Sequence, residues 1–241
     1  MGAKTSIIIQ STDSPIETLS NSPVLDRKRS LEIAESLFPE YILKPVNDES
    51  LSSVYPADDI LLVGNFGDTT VIIARELACD KPSEMYPGYI LDSGTTTLHC
   101  SHSYSDWFAF GHWVDGKLRR SLSISSEDAT MEDEGERMGF EKPYWDGEFP
   151  LFEEGEEEEA ADYPFIFHPI DLGDAAMLYF LGFEVEGNEA KINPYNIALL
   201  CFKFIDRPEG EDCPPQSETI TYPNQNSDSK TSKKSWWKFW H

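Results

Sequence analysis

The sequence predicts an α+β fold, a single domain that is mostly antiparallel sheet with a few short helices. Three observations predict it. Short β-branched and aromatic runs recur along the chain. Two-residue turn signals, Gly67-Asp68 and Asp115-Gly116, join neighbouring runs. Only two segments have helical punctuation. At 241 residues with 39% hydrophobic content, the chain is long enough for one large core.

The elements follow in order. Ser6 to Thr12 reads as a β-branched strand. Asp26 can cap a helix reaching Phe38, where Leu31, Ala34, Leu37 and Phe38 share a face and Pro39 ends it. Tyr41 to Val46 is a strand. Asp59–Phe66 and Thr69–Arg75 form a hairpin apolar on both sides, with Leu62, Val71 and Ile73 on one and Leu61, Val63 and Ile72 on the other. Such a hairpin belongs deep in the fold. Pro82 to Leu91 reads as a short irregular helix. Thr95–His102, Trp107–Val114 and Lys117–Ser125 read as a three-strand meander. Asp174 to Leu181 is a helix, with Asp171 as the expected cap and Gly182 as its left-handed stop. Ile197 to Ile205 is a last interior strand.

An unbroken meander pairs Val114 with Lys117 and His112 with Arg119. One face then carries Leu98, Cys100, Trp107, Ala109, Trp113, Leu118, Leu122 and Ile124. The other carries Thr97, His99, Ser101, Phe108, Phe110, His112, Arg119, Ser121 and Ser123. That mixture of aromatics, donors and acceptors makes His99, His112, Arg119 and Ser121 candidate ligand-binding residues. His102 falls on the opposite face, so two imidazoles without a third ligand argue against a metal centre. No cofactor fingerprint is present. Cys100 lies on the apolar face, and Ser103 lacks a nucleophile elbow. His168 and Asp106 read as structural hydrogen-bonders. No nucleophile, base and orienting group come together, which favours a non-enzymatic protein.

The chain carries −25 at pH 7. Its last segment, Lys230 to His241, has four lysines and no acid, leaving −29 for the body. Glu153 to Glu159 is almost continuous glutamate. The acidic stretch from about 127 to 162 is expected as a loose insertion, because like charges at that density resist packing. Within it lies an aromatic island around Tyr144 and Trp145. It is either a binding patch or an anchor that holds the loop to the body, and the length of the loop favours the anchor. Residues 207–229 read as a flexible linker.

The tail brings Lys233, Lys234, Trp236, Trp237, Lys238, Phe239 and Trp240 together. Basic and indole side chains in that pattern favour contact with an unknown protein partner or an anionic membrane surface. The linker has a typical reach of about 25 Å, which favours such external contact over docking on the chain's own body. The acidic body excludes nucleic acid as a partner. The four cysteines lack paired spacing, and no apolar run is long enough to span a membrane. The expectation is a cytoplasmic protein, peripheral to a membrane if the tail binds lipid. Met1-Gly2 with Ser6 formally fits a myristoylation start, but a first strand beginning at Lys4 explains the same residues better.

Several phrases occur together in one order: Met1-Gly2-Ala3-Lys4-Thr5, His102 to Phe110, Gly116 to Ser123, Pro143-Tyr144-Trp145-Asp146-Gly147-Glu148, Phe167 to Gly173, and Gly182 to Gly187. In these the chain resembles a bacterial family of uncharacterised proteins, a domain of unknown function that typically starts MGAKT. The resemblance covers about residues 1–206. It implies a bacterial cytoplasmic setting and no activity. The glutamate run and the Trp-rich tail depart from the family's usual pattern.

Overall fold

Residues 4–152 and 163–208 are described by the computed structural model. The strands form one wholly antiparallel sheet. They are β1 (Lys4–Ser11), β2 (Tyr41–Pro45), β3 (Glu49–Ser50), β4 (Ile60–Asn65), β5 (Thr69–Ile73), β6 (Thr95–His102), β7 (Trp107–Val114), β8 (Lys117–Ser125), β9 (Ala129–Gly135) and β10 (Ala198–Asp206). Their order is β2-β10-β4-β5-β1-β6-β7-β8-β9, with β3 also pairing β10. Among the described residues the α-helices are α1 (Pro15–Ser20), α2 (Arg27–Leu37), a single turn α3 (Lys142–Trp145) and α4 (Pro169–Phe180). This is a single α+β domain.

The sheet has an apolar layer on each side. Ile7, Leu62, Val71, Ile73, Phe108 and Phe110 meet α4 and the Phe165–Phe167 segment on one face. Ile8, Leu61, Val63, Ile72, Leu98 and Trp113 meet α2 and Leu77 on the other. The β4–β5 hairpin therefore splits between the two layers as its sequence predicts. Asp26 caps α2, its carboxylate accepting from the Arg29 N–H at 2.9 Å. At α4 the cap differs from the expectation. His168 takes it, Nδ1 accepting from the Ile170 N–H at 3.2 Å, and Pro169 occupies the first turn where its missing N–H costs nothing. The helix therefore starts five residues before Asp174. Gly182, at φ +87°, ends it in the left-handed region as expected.

The meander strands fall at their predicted boundaries, and Asp115 and Gly116 both take the positive φ that a type I′ turn needs. The pairing departs from prediction after two rungs. Val114 faces Lys117 and Trp113 faces Leu118, but His112 then faces Arg120. Arg119 is the extra residue of a β-bulge, and every later side chain on β8 changes face. Leu122 and Ile124 join Phe108 and Phe110 rather than Trp113. Arg119 is left exposed and Arg120 becomes the largest fully buried side chain.

Arg120 is 1% exposed and Glu141 is fully buried. Arg120 Nε donates to Glu141 Oε1 at 2.9 Å and Nη2 donates to Oε2 at 2.7 Å. Nη1 donates to Asp133 and to the Glu134 carbonyl. Burial alone lowers the guanidinium pKa. Hydrogen bonds to Glu141 and Asp133 outweigh it, and the net direction is upward. This pair explains a second departure. Residues 129–135, expected to be loose, form edge strand β9. Its acids point mostly to solvent, and a buried cation holds its far end. Residues 153–162 lie outside the described residues. Both sheet edges resist pairing with another copy. β9 is acidic. On β2, Pro45 has no N–H and the Tyr41 carbonyl accepts from Arg207 at 3.3 Å.

The bulge makes opposite forecasts for two adjacent arginines. Arg120→Ala leaves Glu141 as an uncompensated buried charge and should cost about 3–5 kcal/mol. Arg119→Ala should stay within about 0.5 kcal/mol of the parent. Urea denaturation measures both, and equal losses would show that the bulge is misplaced.

Candidate functional site

The polar-aromatic face of the meander forms, but it is roofed. Helix α4 lies across β6 and β7. Gly173 lets it approach so closely that a Cβ there would stand 3.1 Å from the Phe108 ring. His99, 1% exposed, is held at both nitrogens. Nε2 lies 2.8 Å from the Gly173 carbonyl, which can only accept, so Nε2 carries the hydrogen. Nδ1 then accepts from Thr5 Oγ1 at 2.8 Å, and Ser101 Oγ lies 2.9 Å from the same hydroxyl. Burial lowers the His99 pKa to about 4. This is a neutral, saturated imidazole that ties the sheet to its helix.

The other candidates on this face separate. His112 is half-buried, its Nδ1 2.9 Å from Thr97 Oγ1 and its ring stacked on Phe180 at 5.2 Å. Its pKa is lowered by burial. Arg119 points to solvent because of the bulge. Ser121 lies on the opposite face, where it donates to Glu132, and Glu132 also accepts from Ser83 Oγ at 2.6 Å. The four residues therefore do not converge. Trp107 and Leu118 are only half-buried, and Leu122 belongs to the other layer. Among the described residues, no three His, Cys, Asp or Glu are arranged to hold a metal ion.

Tyr144 and Trp145 sit on α3 and pack onto the body. Tyr144 donates to the Asp171 carbonyl at 3.0 Å. Its hydroxyl pKa is pushed up to about 12, by burial first and then by Asp171, Glu184 and Asp174. Trp145 meets Phe167 edge-on at 4.9 Å, and Arg137 lies 4.0 Å over its ring. Its Nε1 finds no acceptor among the described residues. The pair behaves as an anchor. His168 Nε2 lies 3.2 Å from Asp106 Oδ1, so this histidine binds a neighbouring turn while capping α4. Cys100 is fully buried, and its thiol pKa is raised by that burial.

Sequence reasoning missed one concave feature. An open groove of about 650 Å³ lies where the segment after β3 crosses β4 and β10. Val54, Ile60, Leu62 and Cys201 give it an apolar lining, and Lys4, Asn47 and Glu49 stand around it. Burial pushes the Cys201 thiol up to about 11, so it is no ready nucleophile. No local signal announces such a groove, because its walls come from distant parts of the chain. The tail residues Lys233, Lys234, Trp236, Trp237, Lys238, Phe239 and Trp240 lie outside the described residues. Among the described residues no helix is long and apolar enough to cross a membrane.

The protein is thus an antiparallel-sheet domain in which buried polar groups such as His99 and Arg120 tie the sheet to the segments packed on it. The signature of a family of unknown function, DUF6928, matches residues 5–202, and the chain belongs to that family. No curated protein matches the chain, and no solved structure does.

His99 carries a pH signature. Its pKa falls from 6.5 to about 4 on folding. The unfolded chain therefore binds the proton first, and stability present above about pH 6.5 declines as pH falls toward 4. The decline amounts to about 3 kcal/mol from this residue. His99→Gln should flatten the upper part of that decline in urea titrations. An unchanged slope would show that the imidazole is not held neutral.

Proposed function

We propose that this protein is a non-enzymatic interaction or adaptor module, and that its Trp- and Lys-rich tail makes the contact. The partner is a protein or an anionic membrane surface, and the setting is cytoplasmic and peripheral to the membrane. The observation that carries this reading is the state of the meander face. The histidine there with the most catalytic-looking surroundings, His99, has both nitrogens committed to Thr5 and Gly173. Of the remaining candidates, His112 is held between Thr97 and Phe180, Arg119 points to solvent and Ser121 lies on the other face. A small-molecule or hydrolytic role for that face therefore loses its support, and the tail is the strongest contact chemistry left in the sequence. Its indoles suit an apolar–aqueous boundary or the centre of a protein interface. Each lysine near an anionic surface contributes about 1 kcal/mol.

Co-sedimentation with anionic vesicles at low salt tests the membrane arm, with retention on immobilised full-length chain for the protein arm. Binding should disappear in a chain ending at Ser229 and weaken as salt rises. Retention that is indifferent to loss of the tail would contradict the reading.

A further inference from the structure

The face of the sheet that carries α4 is not covered to its edge. At the β2–β10 end, Val46, Ile42 and Ile205 remain 41%, 39% and 37% exposed. Val46 donates to the Cys201 carbonyl and Ile42 stands opposite Ile205, so the three share the face of Cys201. They form an apolar stripe running down β2 and β10. The groove lies at one end of the stripe. The chain leaves the sheet at the other end, after Asp206, where Arg207 is tied to the Pro39 and Tyr41 carbonyls.

Charge is distributed along the same line. Glu49 and Lys4 stand at the groove, and Val185 closes part of its wall. The stripe itself carries Lys44 and Lys203, the latter 2.6 Å from Asp59. Beyond the described residues, 209–229 contain Glu209, Glu211, Asp212, Glu218 and Asp228 and no lysine or arginine. The tail then brings four lysines and three tryptophans. In composition the acidic connection complements the lysines of the stripe, and the aromatic end complements an apolar groove whose rim carries Glu49 and Lys4.

We propose that residues 230–241 dock back into this groove on the same molecule, with indoles against Val46, Val54 and Cys201 and a lysine beside Glu49. The proposal rests on the reading of the tail as the contact element and adds that the body holds that element in reserve until a partner or surface displaces it. Distance permits the assignment. From Cys201 to Asp206 the strand rises about 17 Å, within the typical reach of about 25 Å for the connecting residues. The other acidic surface, edge strand β9, lies seven strand spacings from β10, about 34 Å across a flat sheet. The groove is therefore the nearer home for the tail.

The test uses the full chain labelled with 5-fluorotryptophan. Its six indoles are assigned by single Trp→Phe changes and followed by fluorine NMR with a soluble paramagnetic quencher. At low salt, at least one of Trp236, Trp237 and Trp240 should be displaced from the solvent-exposed position and shielded. Val46→Arg, a change at a 41%-exposed site, should abolish that shielding while the buried Trp113 signal stays in place as a report on folding. Three tail signals as accessible as in the denatured chain would overturn the proposal. So would shielding that survives Val46→Arg, or shielding lost on dilution, which would make a second copy the occupant. Vesicle binding should be stronger for Val46→Arg than for the parent. Shielding that is present while neither chain binds vesicles or a protein would sink the contact reading and leave the docking supported.

Discussion

The structure depends on a sheet that is buried on both faces. Such a sheet gains apolar burial twice, but each polar group it carries must then find a partner inside the protein, because water is excluded from both sides. Most of the unusual features of this domain answer that requirement. His99 satisfies both nitrogens between strand and helix. Arg120 spends its donors on Glu141, Asp133 and backbone carbonyls. Ser121 and Ser83 share the Glu132 carboxylate. These are groups whose chemistry resembles that of an active site and whose geometry is that of cross-links between layers.

The same constraint governs which parts of the chain are free to act. The central strands β4, β5, β1 and β6 lie between two apolar layers. The β2–β10 end, with its exposed apolar stripe, is less covered.

Much of this was legible in the sequence, because side-chain alternation reports the two faces of a strand directly. The split of the β4–β5 hairpin, the meander boundaries and the Asp26 cap followed from local residues. The bulge did not. Lys117-Leu118-Arg119-Arg120-Ser121 offers two adjacent arginines, and no local preference decides which is buried. That choice is made by Glu141, which is twenty-one residues away, and the slip of one residue moved Arg119 and Ser121 off the candidate face. The acidic edge strand was hidden for a related reason, since like charges suggest a loose loop until a buried cation is found behind them. Asp171 looked like the helix cap because His168 caps less often than aspartate. The groove was invisible because β2, β4, β10 and the loop after β3 meet only in three dimensions.

The central claim is that the polar residues on the roofed face of the meander are structural. Long-range proton–nitrogen NMR of the imidazoles in the full chain tests it most directly. The account predicts that His99 is the Nε2–H tautomer and stays mainly neutral from about pH 7 to about pH 5. A His99 ring that carries its hydrogen on Nδ1, or that titrates near its ordinary value, would contradict it.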